Sequence, residues 1–135
     1  MRAWCRTGLG DVEVDLAAEE AVLLDEAGGW VAPPAPSTGL PRVVAAAAVG
    51  STVVALVDAK PPLLVSHDAG STWRGSGHGL PAGRAVAISA ESPDLVLYGT
   101  ASRLFLSTDG GRFWRSLALE LPEILELGFL DDGER

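Results

Sequence analysis

Residues 63–73 read LLVSHDAGSTW and residues 104–114 read LFLSTDGGRFW. Both stretches run from an apolar strand-like segment through a serine, an aspartate and a glycine to a tryptophan, and the two tryptophans lie 41 positions apart. In each case an arginine follows the tryptophan, and a Leu-Pro pair comes seven positions after it. A period of about 40 residues indicates that the chain is built from repeated supersecondary units.

Each of the two clear repeats predicts four short strands, because runs rich in β-branched residues alternate with Gly, Pro and Asp turns. The predicted strands are Val43–Val49, Thr52–Asp58, Leu63–Ser66 and one starting at Trp73, then Ala85–Ser89, Leu95–Thr100, Leu104–Ser107 and Phe113–Leu117. Four strands in about 40 residues form one blade of a β-propeller. We therefore predict an all-β, propeller-type array of about three four-stranded antiparallel blades in an incomplete ring.

The predicted blade boundaries divide the chain into residues 1–37, 38–79 and 80–121, and residues 122–135 provide the first strand of a further blade. The first repeat is degenerate, and its weaker copy of the tryptophan-ended turn finishes at Trp30. Residues 15–28 are also compatible with a helix capped by an aspartate and ended by a glycine. The register of the later repeats favours two strands there, Val12–Leu16 and Ala21–Asp25, and both alternatives stay open at this point.

The repeated turns carry a specific residue pattern. Serine and aspartate side chains accept hydrogen bonds from the amides of their own loop, and glycine supplies a backbone with positive φ. The aromatic residue that follows can bury its ring against an adjacent sheet. These positions form a predicted structural turn, and its residues are Ser66, Asp68, Gly70, Thr72 and Trp73 in one copy and Ser107, Asp109, Gly111 and Trp114 in the other.

This pattern resembles the Asp-box, or BNR, motif of β-propellers such as sialidases, sortilin-type receptors, photosystem II assembly-factor-like proteins and glycosyl-hydrolase-like repeat proteins. Phe113 is the one departure from it, since threonine is usual at that position. The resemblance implies that the turns lie at the periphery of the propeller, away from its ligand channel, and act as a folding signature rather than an active site.

No catalytic set is apparent in the sequence. A sialidase needs a tyrosine nucleophile and three arginines for its substrate's carboxylate, but Tyr98 lies in a predicted strand, and Arg74 and Arg115 are expected on blade surfaces. Glycosidases of other classes use two carboxylates. The carboxylate clusters fall in turns or near the terminus and are Glu19 with Glu20, Glu120 with Glu123 and Glu126, and Asp131 with Asp132. Neither these nor the histidines predict a catalytic residue, a metal site or a cofactor.

The charge balance limits the possible partners. Of the 135 residues 18 are acidic and 10 basic, which gives a net charge of −8, and Lys60 is the single lysine. Nucleic acids and anionic membranes are therefore not expected as partners, since both are bound by clustered cations. Cys5 is the single cysteine, so no internal disulfide forms. As written, the chain lacks a signal peptide and is expected in the cytoplasm, an expectation that does not hold for a fragment of an exported protein.

Three blades do not close a propeller ring, so the apolar end faces need a cover. A homo-oligomer, further blades of a longer chain or the terminal strand are the alternatives, and we expect a dimer or larger species in solution. The predicted function is that of a non-catalytic binding or scaffolding module for an unidentified protein or glycan ligand. The alternative is a partial or degenerate, sialidase-like glycoside hydrolase whose active centre is missing or supplied by other blades. An assembly factor is a third possibility, on family resemblance alone.

Overall fold

A computed structural model describes residues 1–24, 29–31 and 35–130 of the chain. Within these ranges it contains twelve β-strands and no helix, and hence no helix capable of crossing a membrane. The strands are β1 (Arg2–Thr7), β2 (Gly10–Asp15), β3 (Glu20–Leu23), β4 (Val43–Val49), β5 (Thr52–Val57), β6 (Leu63–Ser66), β7 (Arg74–Ser76), β8 (Ala85–Ile88), β9 (Val96–Gly99), β10 (Leu104–Ser107), β11 (Arg115–Ser116) and β12 (Ile124–Leu130).

The strands form three antiparallel sheets of four strands each, which confirms the predicted all-β, propeller-type array. The first sheet has the order β12-β1-β2-β3, the second β4-β5-β6-β7 and the third β8-β9-β10-β11. The third sheet is the central one, because β8 contacts both β4 and β12 while β4 and β12 do not contact each other. The array is therefore open between the first and second sheets.

Alternating side chains of the third sheet fill two separate cores, as expected for a sheet buried on both faces. Ala85 and Ala87 of β8 pack toward the first sheet, and Val86 and Ile88 pack toward the second. The first sheet contributes Val12, Val14 and Leu16, at every second position, to the core that also contains Ala85 and Ala87. This period of two, together with burial of all three side chains, explains why the segment is extended.

The final strand differs from the sequence expectation. Residues 122–135 were expected to begin a further blade, but β12 pairs antiparallel with β1, with Cys5 opposite Leu127 and Ala3 opposite Phe129. It thus supplies the innermost strand of the first sheet, whose other three strands come from the opposite end of the chain. The first blade is complete only when both ends of the chain meet.

The degenerate first repeat forms strands and no helix over its described residues, but its repeated turn needs a correction. The strands β2 and β3 lie where the two strands were predicted. The last residue of the second predicted strand, Asp25, and residues 26–28 lie outside the described residues. The turn between β2 and β3 is held by Asp15, whose side chain accepts hydrogen bonds from the amides of Ala17 and Ala18, both at 3.0 Å. Trp30 comes after the outer strand β3 rather than before it, so its assignment as the tryptophan of a third repeated turn was wrong.

Candidate functional site

The turn formed by residues 66–73, called the first repeated turn here, is closed by hydrogen bonds of three side chains. Ser66 Oγ donates to Asp68 Oδ1 at 2.7 Å and accepts from the amide of Gly70 at 2.8 Å. Thr72 donates to the same carboxylate from its hydroxyl at 2.6 Å and from its amide at 2.9 Å. The Thr72 hydroxyl, followed by its amide, lowers the pKa of Asp68 to about 2, since both donors favour the charged form.

The second repeated turn, residues 107–114, repeats most of this geometry. Ser107 Oγ donates to Asp109 Oδ1 at 2.8 Å and accepts from the amide of Gly111 at 2.9 Å. The amide of Phe113 donates to Asp109 at 3.1 Å and is the main cause of the lowered pKa of that carboxyl. Phe113 has no hydroxyl, however, so the second carboxylate lacks the shortest hydrogen bond of the first.

The tryptophans that end the two turns stand in equivalent positions. A Cβ added to Gly70 would lie 3.5 Å from Trp73 Cζ2, and one added to Gly111 would lie 3.8 Å from Trp114 Cζ2. Both glycines have φ of +92°, a conformation in which side chains are strained. Trp114 Nε1 also donates to Ser76 Oγ of β7 at 3.0 Å, so this ring connects the third sheet to the second.

An open cleft of about 690 Å³ lies where the first and second sheets fail to meet, and we call it the axial cleft. Its walls are the innermost strands β4, β8 and β12, together with part of the linker between β3 and β4. Three of its large apolar side chains are well exposed, namely Val31 at 83%, Val44 at 53% and Leu125 at 47%. Sequence reasoning missed this cleft, because it depends on which sheets are neighbours rather than on any local pattern.

The first sheet turns a polar and aromatic face toward the open side of the array. Trp4 of β1 is buried, and the ring of Trp30 from the linker stacks on it. Arg6 donates to Asp11 at 3.1 Å, to Glu126 at 2.8 Å and to the Trp30 carbonyl at 2.7 Å. These contacts take the place of the apolar surface that was expected at this end of the array.

The sequence places clusters of carboxylates in turns, and within the described residues most of these carboxylates are ion-paired with arginines. Glu19 binds Arg115 at 2.6 Å and accepts the amide of Ala118, and this amide is the largest cause of its lowered pKa. The described carboxylates of the later cluster form separate pairs, which are Glu120 with Arg103 at 3.0 Å, Glu123 with Arg84 at 2.8 Å and Glu126 with Arg6 at 2.8 Å. Asp131 and Asp132 lie outside the described residues. The clusters thus bind arginines instead of converging on one site.

The two remaining side chains with reactive groups, Tyr98 and Cys5, are buried in the sheets. Tyr98 is fully buried in β9, donates to the Pro81 carbonyl at 2.5 Å and has its pKa raised to about 12 by burial. Burial, followed by the charge of Asp11, raises the pKa of Cys5 to about 12, so the thiol stays protonated at neutral pH. Across the described ranges, no three His, Cys, Asp or Glu side chains gather closely enough to hold a metal ion.

Comparison with known proteins adds one solved structure. No protein-family model and no curated protein matches this chain. The crystal structure of a GH74 enzyme from Niastella koreensis is similar to 90% of the chain, with a TM-score of 0.48 and 21% sequence identity. The chain corresponds to 18% of that structure and so spans about a fifth of its length.

Proposed function

We propose that this chain is a non-catalytic binding module of the Asp-box propeller type, and that its axial cleft holds an extended apolar segment of a partner protein against β4. The observation that carries the proposal is the free edge of β4. Among the described residues this strand hydrogen-bonds to β5 alone, on one side, and its other edge borders the cleft. Extended peptides bind such edges by adding a strand to the sheet.

The residues of β4 suit this mode of binding. The strand is seven residues long and reads VVAAAAV, without a charged or proline residue that would block pairing. Its side chains are exposed or partly exposed throughout, whereas every residue of the neighbouring β5 is buried. The small side chains of residues 45–48 let a partner backbone approach closely.

The chemistry of the cleft favours a protein segment over a glycan. Val31, Val44 and Leu125 leave apolar surface exposed, and burial of such surface drives protein association. Among the described lining residues, Glu126 is the one carboxylate, and it is bound to Arg6. A glycoside hydrolase needs two carboxylates on either side of the scissile bond. The described part of the cleft therefore supports binding rather than hydrolysis.

The test uses a soluble peptide of alternating valine and alanine flanked by lysines, added to the isotope-labelled protein. We expect the amide signals of β4 to shift and their hydrogen exchange to slow, because added strand hydrogen bonds protect them. A peptide of the same sequence with alternate amides methylated is the control, and it should not bind. Val44→Asp should abolish binding, whereas Val22→Asp, on the exposed strand β3, should leave it unchanged.

Equal binding of the methylated peptide would overturn strand addition, and signals that respond at β3 instead of β4 would overturn the assignment of the cleft. Hydrolysis of a glycoside that stops on substitution of Glu126 by glutamine would contradict the non-catalytic assignment.

A further inference from the structure

A second concave site lies at the periphery, between β7 of the second sheet and the second repeated turn of the third sheet. We call it the peripheral groove, and its volume is about 610 Å³, within the range of small-molecule sites. Its inner wall is tied together by Ser76, whose hydroxyl donates to the Gly111 carbonyl and accepts from Trp114 Nε1. The lining side chains that reach solvent are Arg74, His78, Arg112 and Phe113.

Two of these side chains are cations without a carboxylate partner in the described residues. Of the eight arginines in the described residues, five are ion-paired and three, Arg42, Arg74 and Arg112, are not. The paired arginines are Arg2, Arg6, Arg84, Arg103 and Arg115. Arg74 and Arg112, by contrast, both line the peripheral groove. The groove is therefore a local cationic site on an acidic protein.

Phe113 is an independent second feature of the groove. It is 76% exposed, so its ring is open to a ligand in the groove. The turn itself does not require it, because Thr72 at the equivalent position donates a hydrogen bond to its aspartate that Phe113 cannot make. The exposed ring thus replaces a stabilising contact with a flat apolar surface in a groove that two arginines also line.

We propose that the peripheral groove binds a small carboxylate carried on a six-membered ring, either a sugar acid or an aromatic acid. Guanidinium groups bind carboxylates through paired, charge-assisted hydrogen bonds, and the face of the ligand ring stacks on Phe113. A small ligand fits better than an acidic macromolecule, because a larger anion would also meet the acidic remainder of the surface and be repelled by it.

The experiment follows the indole N–H signal of Trp114 by NMR while the full chain is titrated with galacturonate and, separately, with benzoate. Galactose and benzyl alcohol are the neutral controls. We expect saturable binding in the millimolar range for at least one acid and none for its neutral counterpart. The arm that responds identifies whether the ligand is a sugar acid or an aromatic acid.

Variants distinguish binding in the groove from a general effect of the protein's charge on the ligand. Arg74→Gln and Arg112→Gln should each weaken binding by about tenfold, the loss expected for a charge-assisted hydrogen bond. Arg42→Gln is the matched control, since Arg42 is unpaired among the described residues but lies outside the groove, and it should bind as the parent does.

Phe113→Thr removes the ring while restoring the threonine of the first repeated turn, so the chain stays folded and binding should fall by a similar factor. The proposal is overturned by any of three results: no saturable response to either acid, an equal response to the neutral compounds, or an equal loss in Arg42→Gln.

Discussion

The indole rings of Trp4 in β1 and Trp30 in the linker stack with their centroids 5.7 Å apart and their planes 16° from parallel. The guanidinium of Arg6 lies 5.6 Å from the centre of the Trp4 ring and also binds the Trp30 carbonyl. The linker is therefore fixed to the face of the first sheet that looks away from the third. This contact explains how an open array can protect one of its end faces without another blade.

Replacing Trp30 by alanine should lower the free energy of unfolding by about 1–2 kcal/mol, because the stacking contact and the cover of Trp4 are both lost. Urea denaturation followed by circular dichroism measures the change. Val31→Ala is the control, since its highly exposed side chain should contribute less than about 0.5 kcal/mol. Equal stability of the two variants would mean that the linker is not fixed by Trp30.

Gly128→Ala tests the other side of the same ring. A Cβ on Gly128 of β12 would overlap the indole of Trp4, and both residues belong to the first sheet, where Trp4 lies opposite Gly128. We expect a loss of about 1–3 kcal/mol, as for other overpacked buried sites. Gly8→Ala is the matched control, since its added Cβ would meet Glu123 at an ordinary 3.8 Å. A similar loss in both variants would contradict the overlap.

The first repeated turn should make stability depend on pH. Its aspartate, Asp68, has a folded-state pKa of about 2, against an ordinary value of 3.8. The carboxylate therefore stabilises the fold above the ordinary value, and this contribution is lost as the pH falls from about 4 toward 2. Asp68→Asn should reduce stability at pH 7, and the difference from the parent should shrink across that interval. A difference that stays constant with pH would exclude this role of the carboxylate.

The second repeated turn offers the converse change. Phe113→Thr should add the hydroxyl donor that Thr72 provides to Asp68, and so raise the free energy of unfolding by about 0.5–1 kcal/mol. Thermal unfolding at neutral pH measures the change. Phe113→Val, which removes the ring without adding a hydroxyl, is the control and should not stabilise the chain. If both variants gain equally, removal of the exposed ring rather than the new hydrogen bond accounts for the effect.

The second and third blades could be predicted from sequence because their signal is local. In both, a strand, a serine–aspartate–glycine turn and a tryptophan follow one another within eleven residues, and the turn closes through hydrogen bonds among neighbours. Trp30 resembles the tryptophans of the repeated turns in sequence because an apolar segment, acidic residues and glycines also precede it. The actual turn of the first blade lies between the two strands that the register favoured, but it is held by Asp15 and shares little with the other two turns, so the sequence did not identify it as the equivalent turn.

The axial cleft and the peripheral groove depend on contacts between distant segments, and this is why sequence reasoning did not find them. No local pattern shows that β4 and β12 face each other across an opening. The groove had one visible signal, the phenylalanine at position 113 where the resemblance implies threonine. Its two unpaired arginines become informative only when both are seen to line one groove, while five of the other six described arginines are ion-paired.

The pairing of β12 with β1 makes the last strand a requirement for the first blade. Ile124 and Leu127 are almost fully buried in the core between the first and third sheets. Burying one such side chain contributes about 1.5–3 kcal/mol, so losing both together with the β12 hydrogen bonds removes much of the ~5–15 kcal/mol that stabilises an ordinary domain. A chain that ends at Leu121 should therefore lose cooperative thermal unfolding. A peptide of residues 122–130 added in trans should restore it, and the same peptide with Leu127→Asp should not, because its charge would enter that core. A truncated chain that unfolds at the parent's midpoint would show that the first sheet is stable without its innermost strand.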